Sequence, residues 1–168
     1  MKCKKLTCLL ATVVAAAALA SPLPADTFSY PATGQKLFSI DIPNGWKVEV
    51  EGDVLHSTPP DESIYVGLWA LPYETLDAAA EALDEMVADL VSGFELKEEG
   101  EFTSNDVPFY FFDGSGEDKE SGGPVNVSVA LFSPDGDTFC MLIYFGSPRD
   151  EKRHEDALGR IVRSIRRP

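Results

Sequence analysis

The fold of this chain is decided by residues 125–147, which read VNVSVALFSPDGDTFCMLIYFGS. Apolar residues stand at every second position in the first part of this stretch, which is the pattern of a strand with one buried face. Residues 134–137 combine proline, aspartate and glycine and predict a turn. The apolar run over residues 138–145 then returns, so the stretch predicts a β-hairpin.

Helical spacing occurs both before and after this hairpin. After Thr75, a predicted N-cap, apolar residues recur at intervals of three and four up to the stop signal Gly93. Ser147 and Pro148 combine an N-cap with a first-turn proline, and an apolar stripe follows them. The predicted helices cover residues 75–92 and 148–165.

The remaining segments predict further strands and one loop. Residues 37–42 and 46–50 alternate around an intervening turn and predict a first hairpin. A short strand is expected over residues 54–57, and residues 64–71, which are apolar on both faces, predict a more central one. The polar, glycine-rich residues 113–123 predict a loop. Together the patterns predict an α+β fold, a mainly antiparallel sheet sandwiched by two helices.

The amino-terminal residues have the layout of a secretory signal peptide. Lys2, Lys4 and Lys5 precede an uncharged apolar run, and small residues at its end favour cleavage before Ser21. Cleavage after Ala25 and an uncleaved anchor are the alternatives. The mature protein is expected in the periplasm or outside the cell, without membrane insertion. The sequence thus predicts a signal peptide over residues 1–20, an amino-terminal extension over residues 21–35 and a single domain over residues 36–168.

The amino-acid composition excludes one class of binding partner. Of the 168 residues, 44% are hydrophobic and 25% are charged, as in an ordinary globular domain. With 14 Lys and Arg residues against 28 Asp and Glu residues, the net charge is −14. A phosphate backbone is bound through a surplus of cations, so no nucleic-acid partner is expected.

Cysteine usage excludes a disulfide framework in the mature chain. Cys3 and Cys8 lie in the predicted signal peptide, which leaves Cys140 alone. Cys140 stands in the apolar run of the predicted hairpin, and no nearby positive charge would activate its thiol. We therefore expect it to be buried and unreactive.

The sequence contains no recognised motif for catalysis or cofactor binding. The two histidines, His56 and His154, lack metal-ligand partners at a recognised spacing. His56 is expected to be a partly buried strand residue and His154 to be exposed helix surface. Ser115 stands between two glycines but lacks the frame of a nucleophile elbow. We expect a protein that is not an enzyme and needs no cofactor.

Oxygen ligands cluster in the predicted loop, where an extracytoplasmic Ca²⁺ would find the donors that hard cations prefer. Their spacing matches no EF-hand, and Lys119 interrupts them. A solvated loop is the favoured interpretation, and calcium binding is the alternative. The residues concerned are Asp113, Ser115, Glu117, Asp118 and Glu120.

The first predicted helix carries acids and no Lys or Arg. Like charges at i and i+4, such as Glu81 with Glu85, each weaken a helix by about 0.3 kcal/mol. An acidic surface kept at this cost is a candidate for binding a basic partner, with a merely solvated face as the alternative. The candidate partner-binding residues are Glu81, Asp84, Glu85 and Asp89.

Residues 38–46, FSIDIPNGW, together with the order of the elements and the ending IVRSI at residues 161–165, resemble the PsbP-like superfamily. That group includes small exported DcrB-like bacterial proteins and the Ran-binding Mog proteins. The resemblance implies an antiparallel sheet between helices, a buried scaffold role for Trp46, and binding or assembly rather than catalysis. It implies no functional residue.

Two classes of function follow from these observations. The favoured one is an exported, non-catalytic binding or assembly protein of the bacterial cell envelope, with another envelope protein as its partner. The alternative is an enzyme or calcium-binding protein whose site is assembled from residues distant in sequence.

Overall fold

A computed structural model describes residues 24–168 of the chain. The predicted signal peptide over residues 1–20 and its cleavage site therefore lie outside the described residues. The strands are β1 (Ala25–Tyr30), β2 (Phe38–Pro43), β3 (Lys47–Glu51), β4 (Val54–Thr58), β5 (Ile64–Ala70), β6 (Val91–Ser104), β7 (Val107–Asp118), β8 (Pro124–Phe132) and β9 (Cys140–Gly146). The helices are α1 (Leu76–Leu90) and α2 (Pro148–Ser164).

Seven strands form one sheet in the order β3-β4-β5-β9-β8-β7-β6. The predicted hairpin over residues 125–145 is confirmed as β8 and β9, in which Val129 stands opposite Ile143. β5 lies inside the sheet between β4 and β9, as its two apolar faces predict. Every pairing in this sheet is antiparallel, and the predicted α+β class is confirmed.

Both predicted helices and their N-caps are confirmed. The Thr75 hydroxyl accepts a hydrogen bond from the Ala78 N–H at 3.3 Å at the start of α1. The Ser147 hydroxyl accepts one from the Asp150 N–H at 3.2 Å at the start of α2. Each cap supplies an acceptor to a backbone donor that the first helical turn leaves without a partner.

The first helix ends slightly earlier than predicted. α1 ends at Leu90, and β6 begins with the next residue. Gly93, predicted as the helix stop, lies instead within β6 with a φ of 61°. The pairing of β6 with β7 shifts register between Ser92 and Glu95, and a glycine takes up such a bulge without backbone strain.

The start of the chain folds differently from the prediction. The expected hairpin between residues 37–42 and 46–50 is wrong, because β2 pairs with β1 and not with β3. β1 and β2 form a separate two-stranded sheet, in which Tyr30 stands opposite Phe38. Residues 25–30, predicted to belong to an amino-terminal extension, therefore form a strand of the fold.

The polar segment over residues 113–123 is only partly the loop that its composition predicts. β7 continues through Asp118, so a short turn alone connects it to β8. A Cβ on Gly114 would overlap the Phe94 ring, and one on Gly116 would overlap the Val91 side chain. These glycines permit close packing of β7 against β6 and do not mark a mobile loop.

The two helices cover opposite faces of the large sheet. α2 and the small β1–β2 sheet pack on one face, around Phe38, Phe109 and Leu142. α1 packs on the other face, where Leu83 and Val129 lie in the core. This arrangement confirms the predicted sandwich. Neither helix within residues 24–168 is long and apolar enough to cross a membrane.

Cys140 begins β9 and is fully buried, as predicted. Burial raises the pKa of its thiol from 9.0 to about 12, and the Asp135 carboxylate adds to the effect. Because the thiolate is the nucleophile, we expect this thiol to be unreactive in the folded protein.

Candidate functional site

All four candidate partner-binding acids lie on the outside of α1. Glu81, Asp84, Glu85 and Asp89 are exposed, while the apolar stripe of the helix faces the sheet. No Lys, Arg or His nitrogen of the described residues lies within 4 Å of these carboxylates. α1 therefore presents an uncompensated negative surface.

A groove of about 300 Å³ lies between α1 and the strands β6, β7 and β8, and we call it the α1 groove. Apolar side chains from the helix and the sheet form its floor. The acids that line it are Glu81 and Asp84 from α1 and Glu99 from β6. Glu85 and Asp89 do not line it. The structure thus brings two of the four predicted residues to an apolar groove and adds a third acid from a distant strand.

Leu96 extends the apolar surface of the α1 groove into solvent. It lies in the edge strand β6, lines the groove and is 51% exposed. An apolar side chain of this exposure beside carboxylates is suited to a partner segment that carries both apolar and basic side chains.

The oxygen ligands considered for calcium do not converge. Asp113, Ser115 and Glu117 alternate along β7, whereas Asp118 and Glu120 lie at its end and in the turn that follows. The Asp118 carboxylate accepts hydrogen bonds from two backbone N–H groups of this turn, at 3.1 and 3.2 Å. Among residues 24–168, no three His, Cys, Asp or Glu side chains are arranged to hold a metal ion.

Lys119, which interrupts that acidic stretch, stabilises α1. Its ammonium group donates to the carbonyl of Ala88, and its backbone N–H donates to the carbonyl of Leu90 at 3.0 Å. α1 has no basic residue in its own last turn. A cation at a helix carboxyl end interacts favourably with the helix dipole, so Lys119 supplies from the β7–β8 turn what the helix sequence lacks.

The two histidines have different surroundings. His56 is partly buried in β4, as predicted, and its Nδ1 lies 2.5 Å from the Tyr65 hydroxyl oxygen. The prediction of His154 as exposed helix surface is wrong, because its side chain is only 16% exposed. Its ring packs edge-on against half-buried Trp46, with centroids 5.7 Å apart, and joins α2 to the turn before β3.

Asp61, Ser63 and His154 meet without forming a catalytic triad. Ser63 Oγ donates to Asp61 Oδ1 at 2.6 Å. His154 Nε2 lies 3.2 Å from Ser63 Oγ and 3.3 Å from Asp61 Oδ1. In a triad the hydroxyl and the carboxylate bind opposite ring nitrogens, whereas here both face Nε2. Hydrogen bonds from Ser63 and then Arg153 hold the pKa of Asp61 well below its usual range, and the cluster anchors α2.

A second feature, which we call the α2 cavity, was not predicted from the sequence. It has a volume of about 450 Å³, lies between α2 and the sheet, and includes Phe102 and Phe111 among its apolar walls. Its polar sheet residues, Asp113, Ser128 and Tyr144, come together through strand register, because Ser128 stands between the other two. No local pattern indicated the cavity, because Ser128 stands at a polar position of the first hairpin strand, between Val127 and Val129.

No protein-family model matches the chain, and no curated protein matches its sequence. Its structure, however, is similar to that of cyanobacterial PsbP (CyanoP) from Synechocystis sp. PCC 6803. The two match with a TM-score of 0.63 at 10% sequence identity, over 92% of this chain and 99% of the CyanoP chain. The chain has the PsbP-like fold. The resemblance of residues 38–46 to the PsbP-like superfamily is thereby confirmed for the fold.

Two further solved structures share the PsbP-like architecture. LpqN, involved in cell envelope biogenesis of Mycobacterium tuberculosis, matches with a TM-score of 0.53 at 16% identity, over 86% of this chain and 91% of LpqN. PA94 from Pseudomonas aeruginosa, a protein of unknown function and putative regulator, matches with a TM-score of 0.52 at 12% identity, over 86% of this chain and 98% of PA94. At such identities the likeness establishes the PsbP-like fold alone.

Proposed function

We propose that this chain is an exported, non-catalytic accessory protein of the bacterial cell envelope that binds a segment of another envelope protein in the α1 groove. The observation that carries the proposal is an apolar floor with carboxylates from both the helix and the sheet. A partner segment with apolar side chains and neighbouring Lys or Arg residues complements this surface. Burial of the apolar side chains supplies affinity, and opposite charge speeds the encounter.

The setting in the cell envelope is supported by two independent observations. CyanoP and LpqN share the fold, and LpqN is involved in cell envelope biogenesis. The order of charged, apolar and small residues over residues 1–20 is typical of an export signal. Both agree with a periplasmic or secreted protein.

The absence of catalysis is supported by the geometry of the reactive side chains. Covalent catalysis needs a nucleophile within reach of a base that a third group orients. His154 has both of its polar neighbours on one nitrogen, and Cys140 is buried with a raised thiol pKa. These features favour binding over turnover.

Site-specific photo-crosslinking tests the α1 groove directly. A photoreactive p-benzoylphenylalanine placed at Leu96 is expected to capture the partner in intact cells, because this side chain lines the groove and is 51% exposed. Val50 is also 51% exposed and lies in β3, at the opposite edge of the sheet, so it is the matched control. Adducts of the same size at both positions, or at neither, contradict the proposal.

The carboxylates are tested with two double variants that change the charge equally. Glu81→Gln with Asp84→Asn neutralises acids of the α1 groove, while Asp77→Asn with Glu85→Gln neutralises exposed acids outside it. The groove variant is expected to slow association with the captured partner about tenfold, and the control variant by much less. Surface plasmon resonance measures both rates. Equal slowing by the two variants would mean that the helix is only a solvated acidic face.

Export is tested by the amino terminus of the mature protein. We expect cleavage before Ser21, so protein released from cells without detergent should begin at that residue. N-terminal sequencing measures this directly. An intact Met1 on protein that only detergent extracts contradicts export as a cleaved protein.

A further inference from the structure

The α2 cavity lies between α2 and the large sheet, whose side chains leave a gap at this place. Asp113, Ser128 and Tyr144 are neighbours across β7, β8 and β9, so their side chains share the face that points toward α2. The volume of about 450 Å³ falls within the range of about 300–1,000 Å³ that is usual for small-molecule sites. The helix residues that line it are Leu158, Gly159, Val162 and Arg163.

Small residues keep the α2 cavity open. Ser128 and Ala130 line it from β8, where longer side chains would reach toward the helix. Gly159 lies in the interior of α2, where glycine weakens a helix. Packing does not require this glycine, since the nearest atoms to an added Cβ belong to the Arg163 guanidinium group, at an ordinary 3.6 Å. The missing side chain instead leaves space in the cavity.

One end of the α2 cavity is negatively charged. Within residues 24–168, no Lys, Arg or His nitrogen lies within 4 Å of the half-buried Asp113 carboxylate. The pKa of the neighbouring Tyr144 hydroxyl is raised to about 12, mainly by burial, and the carboxylates of Asp113, Glu151 and Glu155 add to the effect. The hydroxyl is therefore neutral at physiological pH and lies in a negative potential.

Apart from Arg163, the other walls are aromatic or aliphatic. The Phe102 and Phe111 rings lie 6.2 Å apart between centroids, with their planes at 50°. Aromatic faces attract cations and also pack well against apolar groups. Arg163 lines the cavity from α2, but it is exposed and its guanidinium group lies beside Gly159 on the same helix.

We propose that the α2 cavity binds an organic ammonium ion. Its charged group pairs with the Asp113 carboxylate and donates to the Tyr144 hydroxyl oxygen, and its apolar body lies against Phe102 and Phe111. Water screens a half-buried carboxylate less than an exposed one, so this carboxylate gains more from a cationic ligand. The cavity and the α1 groove lie on opposite faces of the sheet, so this inference does not depend on the proposed function.

Titration of the purified, ¹⁵N-labelled protein with 2-phenylethylamine tests the proposal by NMR. We expect saturable shifts of backbone amides that line the α2 cavity, with a Kd of about 1 mM for a ligand of this size. The anion 3-phenylpropionate carries the same ring and is expected to bind about tenfold more weakly. The proposal is overturned if the anion binds as tightly as the amine, or if the amine causes no saturable shift in the cavity.

Two variants locate the binding site. Asp113→Asn keeps the shape of the side chain and is expected to weaken binding of 2-phenylethylamine about tenfold. Gly159→Met is expected to abolish binding, because it fills the cavity while improving helix propensity. Asp137→Asn removes one charge from an exposed turn and should leave the affinity unchanged. Circular dichroism identifies which cavity variants are folded, and unchanged affinity in a folded one overturns the proposal.

Discussion

Replacing Phe132 with alanine is expected to lower the free energy of unfolding by about 4 kcal/mol. Phe132 ends β8 and is only 1% exposed. Its ring packs edge-on against Phe38 of β2, with centroids 5.3 Å apart, and lies 5.1 Å from the Phe109 ring of β7. The side chain thus joins the small sheet to the large one, and its removal leaves a cavity between them.

Urea unfolding followed by tryptophan fluorescence measures this loss. Val50→Ala is the control, because that valine is 51% exposed and its truncation should change stability by no more than about 0.5 kcal/mol. A loss below about 1 kcal/mol for Phe132→Ala would show that the β1–β2 sheet is not held by this contact.

Raising the pH from about 8 to about 11 is expected to destabilise the folded protein by about 4 kcal/mol through Cys140 and Tyr144 alone. Burial raises the pKa of the Cys140 thiol from 9.0, and that of the Tyr144 hydroxyl from 10.0, each to about 12. The unfolded chain therefore releases these protons at a lower pH than the folded chain does. Their contribution to stability is full below about pH 9 and is lost as the pH rises toward about 12.

The variant Cys140→Ala isolates the contribution of the thiol. Its loss of stability between the two pH values should be smaller than that of the wild type by about 3 kcal/mol. Tyr65, whose pKa burial also raises, contributes equally to both proteins and cancels. The pKa of Tyr30 is raised by burial and also by the charge of Cys140, so its contribution changes together with the thiol. Urea unfolding under reducing conditions at both pH values gives the difference. An identical loss in the two proteins would contradict a buried, protonated thiol.

Features that depend on neighbouring residues were predictable from the sequence. The Thr75 and Ser147 caps bond to backbone groups three residues away, so residue type and position are sufficient to place them. The hairpin over residues 125–145 was predictable for a similar reason, because two apolar segments close in sequence flank the turn residues 134–137. The alternation predicted one buried face, but β8 is buried on both, with Val129 on the α1 side and Ala130 on the α2 side.

Features that depend on distant residues were not predictable. The alternation over residues 37–42 predicts a strand but does not predict which strand it pairs with. β2 pairs with β1 in a sheet where the Tyr30 and Phe38 rings stack at 5.0 Å, and Arg166 binds the Asp41 carboxylate of β2 with two hydrogen bonds of 2.9 Å. These contacts join residues that are distant in sequence, so no local pattern of residues predicts them.

The same distinction between local and distant contacts applies to the α1 groove and the α2 cavity. The sequence by itself determined the helices, the central hairpin, the burial of Cys140 and the acidity of α1, because propensity, capping and periodicity act between near neighbours. Only the tertiary structure decided that Glu81 and Asp84 meet Glu99 at the α1 groove, and that residues of β7, β8, β9 and α2 enclose the α2 cavity. Strand register and helix docking bring these residues together, and both are set by burial of the whole core.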